Sequence, residues 1–206
     1  VYKMNYAVAL VHHVKHGRGC TVVCAEVPRG EGRSLGILSV GEDDVVTDFV
    51  EKPAEPAGLP DAPDRALASM GIYVFNRSVL EAALDNTMTD FGKEVIPSLL
   101  GKKKLFAHIF EGYWEDIGTV RAFYEANLAL AQPLPPFNFF DQGAPIYTHP
   151  RFLPPTKLNR CNVDHVVIGD GSILTDSSLK HCVLGVRAVV GEGSTLVDSI
   201  VMGSDY

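Results

Sequence analysis

A mixed α/β domain followed by a short parallel β-helix is the architecture this sequence predicts, on three observations. A helical pattern over residues 5–16 runs directly into the continuous β-prone stretch Cys20-Thr21-Val22-Val23-Cys24-Ala25-Glu26-Val27, the order of an α/β unit whose strand is covered on both faces. A proline-rich stretch between Gln132 and Pro155 then divides the chain. Beyond it, aliphatic residues recur every five or six positions and a glycine-centred segment is duplicated, as in a hexapeptide β-helix.

The first helix has Asn5 as its N-cap, Tyr6, Leu10, His13 and Val14 at helical spacing, and Gly17 as its stop. After the buried strand, residues 35–40 and 44–50 predict two shorter strands around the turn Gly41-Glu42-Asp43. Residues 53–64, rich in Pro, Ala and Asp, form a surface loop. Residues 67–75 predict another buried strand, 78–84 a short capped helix and 90–100 a second helical piece. Lys102-Lys103-Lys104 makes a solvated turn before a strand over 104–110. The turn Gly118-Thr119 leads into a helix over 120–130.

Seven prolines, at 133, 135, 136, 145, 150, 154 and 155, are interleaved with aromatics and mark a linker that packs against its surroundings. The segment from Val167 to Ser177 then repeats from Val189 to Ser199, 22 positions on. Val163, Ile168, Ile173, Leu179, Leu184, Val189, Leu196 and Val201 are the expected inward residues, with glycine at the corners. About two coils are expected, whereas repeat folds need at least three units to bury a stable core, so the chain is expected to stop inside this second domain. Its start, Val1-Tyr2-Lys3-Met4-Asn5, lacks an initiator Met and is expected to continue a strand from upstream.

With 206 residues, 46% hydrophobic and 21% charged, the chain has the composition of a soluble globular protein. A net charge of −7 argues against a general nucleic-acid-binding surface, which depends on positive charge. No apolar run reaches the roughly 20 residues of a membrane span, and no signal-peptide pattern opens the chain, so a cytoplasmic location is the default. Cys20, Cys24, Cys161 and Cys182 have neither Cys-x-x-Cys spacing nor zinc-type histidine partners, and predict reduced thiols.

Two charged motifs stand out among apolar neighbours. In Phe49-Val50-Glu51-Lys52-Pro53 the ammonium of Lys52 ends an extended segment whose direction the proline restricts. In Tyr113-Trp114-Glu115-Asp116-Ile117-Gly118-Thr119 a carboxylate follows two aromatics at a helix entrance. A lysine and a carboxylate so placed suit a site for phosphate and metal.

These motifs, with Ala-Ser-Met-Gly-Ile-Tyr-Val-Phe at 68–75, Asp-Phe-Gly-Lys-Glu-Val-Ile-Pro at 90–97, the Pro-rich linker and the hexapeptide coils, resemble the glucose-1-phosphate adenylyltransferases (ADP-glucose pyrophosphorylases) nearly end to end. The second half is most similar to the cyanobacterial and plant branch. The resemblance implies an incomplete Rossmann-like mixed-sheet nucleotidyltransferase domain over residues 1–131, an interdomain linker over 132–157 and part of a left-handed parallel β-helix over 158–206. It implies transfer of AMP from ATP to α-D-glucose 1-phosphate, giving ADP-glucose and pyrophosphate for glycogen or starch synthesis. It also implies Mg²⁺ as cofactor, a homo- or hetero-tetramer, allosteric control, and plastid stroma as the location in a plant.

By the same resemblance, Lys52 binds the phosphate of glucose 1-phosphate and Glu51 the sugar hydroxyls. Ser69 contacts the sugar, Gly36 lets the backbone approach it, and Trp114 forms the pocket wall. Asp116 is one of two carboxylates holding Mg²⁺, its partner expected just upstream of Val1, as is the Gly-rich loop that binds ATP. Lys52 and Asp116 would then serve one reaction centre, and the chain alone is expected to be inactive. Asn5 replaces a common Asp and Leu35 a common Phe, changes that keep a helix cap and a core filler. Arg151, Lys157 and Arg160 lie near the boundary where family effectors bind, and carry no assignment. Three other readings stay open: a non-catalytic regulatory subunit, a related pyrophosphorylase using another nucleotide, and a hexapeptide acyltransferase using His165 or His181, both of which also suit β-helix corners.

Overall fold

A computed structural model describes residues 1–16, 19–101, 105–136 and 138–204. Gly17, the expected helix stop, and the lysine run at 102–104 lie outside the described residues. The chain forms two compact units, one of residues 4–114 and one of residues 1–3 with 115–206.

In the first unit, helix α1 (Tyr6–His16) precedes strand β1 (Cys20–Pro28). Asn5 caps α1, its side-chain oxygen accepting from the Ala7 N–H at 3.0 Å. Strands β2 (Gly36–Val40), β3 (Val46–Glu51), β4 (Arg65–Phe75) and β5 (Leu105–Ile109) join β1 in a five-stranded sheet of order β3-β2-β4-β1-β5. β1 pairs in parallel with β5 and antiparallel with β4, which makes the sheet mixed. The first five residues of β1 are all buried, as its unbroken β-prone run predicts. Phe49 and Val46 on β3, Leu38 on β2, Leu67 on β4 and Val22 on β1 share one core with Leu105 and Ile96.

Helix α2 (Arg77–Leu84) starts at Asn76, whose side chain makes no cap bond and instead meets His13 Nε2 at 3.1 Å. The next piece opens as a π-turn (Phe91–Val95) before the short helix α3 (Ile96–Leu99). Asp90 and Glu94 cap it reciprocally. Asp90 Oδ1 accepts from Lys93 N–H at 2.8 Å, and Glu94 Oε2 accepts from the Thr89 and Asp90 N–H groups at 2.9 and 3.0 Å.

α1 departs from its sequence pattern. Tyr6, Leu10 and Val14 are exposed, Val14 to 77%, and only Ala9 and His13 are buried. Helical spacing fixes which residues share a face, but not whether a neighbour covers that face.

In the second unit, helix α4 (Val120–Ala129) is capped by Thr119, whose side chain accepts from Ala122 N–H at 3.1 Å. The β-helix follows, with β6 (Lys157–Asn159), β7 (Asn162–Ile168), β8 (Ile173–Thr175), β9 (Ser178–Leu184), β10 (Val189–Val190) and β11 (Thr195–Val201). Two three-stranded parallel sheets result, β10-β8-β6 and β11-β9-β7. Each holds three rungs, one more than the sequence pattern suggested.

Register shows why the count differed. Lys157 aligns with Ile173 and Val189, and Asn162 with Ser178 and Thr195, so one coil takes 16 or 17 residues. Left-handed backbone marks the corners: Arg160, Asp176 and Gly193 form one, His165, His181 and Asp198 the next, and Gly171 and Arg187 the third. The 22-residue duplication is therefore not a coil; it carries Gly171 at one corner to Gly193 at another, one full turn and one side further on.

Two inward assignments change with it. Ile173 and Val189 point outward, at 44% and 75% exposure, while Leu174 and Val190 fill the interior. Leu179, Leu184, Ile168, Leu196 and Val201 line the interior as expected. Val163 shares the column of Leu179 but lies on the first rung and stays exposed. At a third position the coils meet backbone to backbone: a methyl built on Gly185 would fall 2.3 Å from Gly203 N, and one on Gly169 2.7 Å from Val186 N.

Candidate functional site

β2 and β3 bring three of the expected site residues to one end of the mixed sheet. Gly36, the first residue of β2, is paired with Glu51, the last of β3. One residue on, the Lys52 N–H donates to the Leu35 carbonyl at 2.9 Å and closes the ladder. The extended segment ends at Glu51. Lys52 itself has φ 50°, a left-handed conformation unusual for a residue preceding proline. The sequence predicted continued extension through Lys52; the turn instead points the lysine away from the strand line, and its side chain is 59% exposed against 20% for Glu51. Such strain, on the order of 1–3 kcal/mol, persists where surrounding structure holds it and is concentrated at functional sites. Lys52 Nζ stands 4.0 Å from Glu51 Oε1, close enough for mutual attraction while leaving the ammonium open to solvent.

The Glu51 carboxylate sits between two glycines. A methyl on Gly36 would reach within 2.8 Å of Glu51 Oε2, and one on Gly92 within 2.5 Å. Neither glycine needs a positive φ here; each is required by close approach.

Ser69 lies on β4, nearly fully buried. Its Oγ accepts from Gly71 N–H at 3.2 Å and lies 3.5 Å from the Tyr73 hydroxyl. A β-bulge at Met70-Gly71, where Gly71 has φ 71°, re-aims the strand after Ser69. Tyr73 stacks on Phe91 at 5.7 Å. Burial raises the Tyr73 hydroxyl above its ordinary pKa, the Ser69 hydrogen bond opposes this, and the Glu51 charge adds to the rise. Trp114 is half-buried against the cluster of Val27, Ile37, Ala66 and Ala68, against which Leu35 also packs.

Asp116 belongs to the other unit, on the exposed segment before the Thr119 cap. Its Oδ2 lies against Gly118, where a methyl would come within 3.2 Å. Among the described residues, no group of three metal-ligating side chains includes Asp116. A single exposed carboxylate fits one ligand of Mg²⁺, which takes one or two protein carboxylates and keeps several waters.

Tyr73, Phe91 and Gly92 were missed as site neighbours. All three lie inside the segments 68–75 and 90–97 that carried the family resemblance, so their motifs were visible while their contacts were not. Elsewhere, His165 and His181 hold left-handed corners of the β-helix; His181 Nδ1 meets Asp198 Oδ1 at 2.6 Å and His165 Nδ1 meets Asp164 Oδ1 at 2.6 Å. Arg160 is paired with Asp176. All four cysteines are free thiols, as expected.

Two family models match the chain: nucleotidyl transferase over residues 1–133, and the GLGC left-handed parallel β-helix domain over residues 151–206. A glucose-1-phosphate adenylyltransferase of Dechloromonas aromatica (strain RCB) is 39% identical over 225 aligned positions, covering 98% of this chain and 51% of the relative. Glucose-1-phosphate adenylyltransferase 2 of Vibrio cholerae serotype O1 (strain ATCC 39315 / El Tor Inaba N16961) is 35% identical over 222 positions, covering 98% of this chain and 54% of the relative. The chain thus spans about half the length of the curated relatives it matches. No helix among the described residues is long and apolar enough to cross a membrane. The mixed sheet with its strand-end Glu-Lys pair falls wholly within the first matched region, and the chain belongs to the nucleotidyl transferase family.

Proposed function

We propose that this chain supplies the sugar-phosphate side of an enzyme that transfers AMP from ATP to α-D-glucose 1-phosphate, releasing pyrophosphate, in glycogen or starch synthesis. The observation that carries the proposal is the Glu51–Lys52 pair at the end of β3, an open ammonium beside a carboxylate held between two glycines. In this reading the Lys52 ammonium donates to the phosphate of the sugar phosphate, and the Glu51 carboxylate accepts from sugar hydroxyls. Ser69 contacts the sugar, Gly36 admits it close to the backbone, and Trp114 walls the pocket. A phosphate oxygen of the sugar phosphate forms a bond to the α-phosphorus of ATP, and the α–β bridging P–O bond breaks. That oxygen is already ionised, so no side chain need remove a proton. Asp116 would be one ligand of Mg²⁺, which when bound offsets the negative charge of the phosphate oxygens.

Under the same proposal, residues 1–131 are the C-terminal part of the catalytic domain, 132–157 the linker and 158–206 part of the β-helix. The protein is cytoplasmic, or plastidial in a plant, and assembles as a tetramer. The names of the two relatives support the choice of ATP and glucose 1-phosphate.

Calorimetric titration of the chain with glucose 1-phosphate tests the acceptor site. A charge-assisted hydrogen bond contributes about 1.5–3 kcal/mol, so Lys52→Ala should weaken binding roughly 10- to 150-fold. Unchanged affinity would remove Lys52 from the site. Pyrophosphate release, assayed with the chain joined to a Gly-rich nucleotide-binding region and a panel of nucleotides, separates ATP from other donors. No release from any donor would favour a non-catalytic subunit.

A further inference from the structure

α1 is held to the sheet by little apolar burial, yet its polar side carries three histidines, His12, His13 and His16. His13 is accounted for by Thr21 Oγ1 at 2.9 Å and Asn76 Oδ1 at 3.1 Å. His12 and His16, one helical turn apart, instead share their surroundings with Asp44, on the tight turn (Glu42–Asp44) between β2 and β3. One donor atom from each of His12, His16 and Asp44 lies within 4.8 Å of the other two. His12 Nε2 is already 3.3 Å from Asp44 Oδ2. In a tetrahedral site with bonds of roughly 2.0–2.1 Å, ligand atoms stand about 3.3 Å apart, so this pair needs no rearrangement and the third ligand about 1.5 Å at most.

The His16 ring tautomer points the same way. His16 Nδ1 is 3.0 Å from the His12 carbonyl, which can only accept, so Nδ1 carries the proton and Nε2 keeps its lone pair. A hydrogen bond from the ring nitrogen that does not face the metal fixes the orientation of a metal-bound imidazole. His12 Nδ1 is buried with no hydrogen-bond partner among the described residues, and Nε2 is the ring nitrogen that faces Asp44. The His108 ring packs on His12 at 5.0 Å and the His16 ring at 4.3 Å, so the His12 imidazole is held between two neighbouring rings. Two imidazoles and one carboxylate suit Zn²⁺ or Co²⁺ rather than Mg²⁺ or Ca²⁺.

We propose that His12, His16 and Asp44 form a zinc-class divalent-metal site that clamps the C-terminal turn of α1 to the turn between β2 and β3. Three protein ligands leave a fourth position for water. The site is independent of the Glu51–Lys52 proposal and uses none of its residues.

The test is titration of the 206-residue chain with Co²⁺, read by its visible d–d bands, followed by displacement with Zn²⁺. The expected result is one equivalent bound with tetrahedral bands, and a melting temperature raised by Zn²⁺ and restored by EDTA. His16→Ala and Asp44→Asn, both checked for native circular dichroism, should each weaken Co²⁺ binding at least about tenfold, since removing even a hydrogen-bond partner of a ligand costs about 10- to 100-fold. His165→Ala on the β-helix should not. Absence of binding in the wild type, wild-type affinity in either ligand variant, or loss of binding in His165→Ala would each overturn the proposal. Asp44→Asn alters an isosteric side chain on a surface turn, so it remains informative should His16→Ala fail to fold.

Discussion

Gly92→Ala is the sharpest probe of the proposed sugar site, because it should move one carboxylate and little else. The added methyl would lie 2.5 Å from Glu51 Oε2 and 2.9 Å from Glu51 Cδ, where ordinary contact begins at 3.4 Å. The carboxylate must therefore retreat by about 0.9 Å, the difference between those distances. It can do so by rotating a flexible side chain, and the φ of Gly92 is not in the left-handed region, so the folding cost should stay below about 1 kcal/mol. A group displaced by about 1 Å from its working position, however, costs on the order of 100-fold. The expected outcome is a melting temperature within a few degrees of wild type and a 10- to 100-fold loss of glucose 1-phosphate affinity by calorimetry. Gly30→Ala, where a methyl meets nothing within 4 Å, serves as the control. Wild-type affinity in Gly92→Ala would show that the carboxylate position does not govern sugar binding, and the role proposed for Glu51 would fall.

Glu94 caps the π-turn through two backbone N–H groups, which hold its pKa below the ordinary 4.5. A depressed carboxylate pKa contributes stability that is complete above the unfolded value and fades as pH falls through the folded one. Glu94→Gln should therefore lower stability at neutral pH and flatten its loss below about pH 4.5, measured by urea unfolding across pH. In the β-helix, Leu174→Ala should cost about 2–5 kcal/mol and Ile173→Ala under about 1 kcal/mol; the reverse order in thermal melts would refute the register described above. Burial pushes the Cys20 and Cys24 thiols up to about 12, whereas a Ser177 hydrogen bond lowers Cys161. Alkylation of the native chain, followed by peptide mass spectrometry, should label Cys161 first. Lys52→Gly should stabilise the chain by about 1 kcal/mol by relieving a left-handed lysine, while removing sugar-phosphate binding; a melting temperature below wild type would contradict the strain assignment.

Much of the fold was legible because local signals agreed with burial. The unbroken run at Cys20–Val27 announced a doubly covered strand, and Thr119 announced a helix start. Where the sequence misled, the deciding contact was distant. Tyr6, Leu10 and Val14 satisfy helical spacing, yet the face they share stays largely exposed. The Gly-Asp-Gly and Gly-Glu-Gly segments are alike because any β-helix corner asks for a left-handed residue, not because they lie one coil apart. The helix expected to be capped at 78–84 has no side-chain cap bond, because its N-cap residue Asn76 is taken by His13. In the site, the charged pair at 51–52 could be read from its apolar setting, whereas the glycines flanking Glu51 come from segments 15 and 41 residues away and meet only in space. His12 and His16 have the i,i+4 spacing of a metal-binding helix, whereas Asp44, 28 residues beyond His16, joins them only in space.

The backbone-to-backbone contact at Gly169, Gly185 and Gly203 sets how this domain can be re-engineered. At that edge each rung is spaced by main-chain contact, so a side chain at any of the three has no soft neighbour to displace. The outward column of Lys157, Ile173 and Val189 is the opposite case, three aligned positions that already differ in size and charge. New surface chemistry can be written on that column one residue at a time. The glycine edge behaves as the ruler of the coil, and a library that randomised it would select for collapse of the prism rather than for a new face.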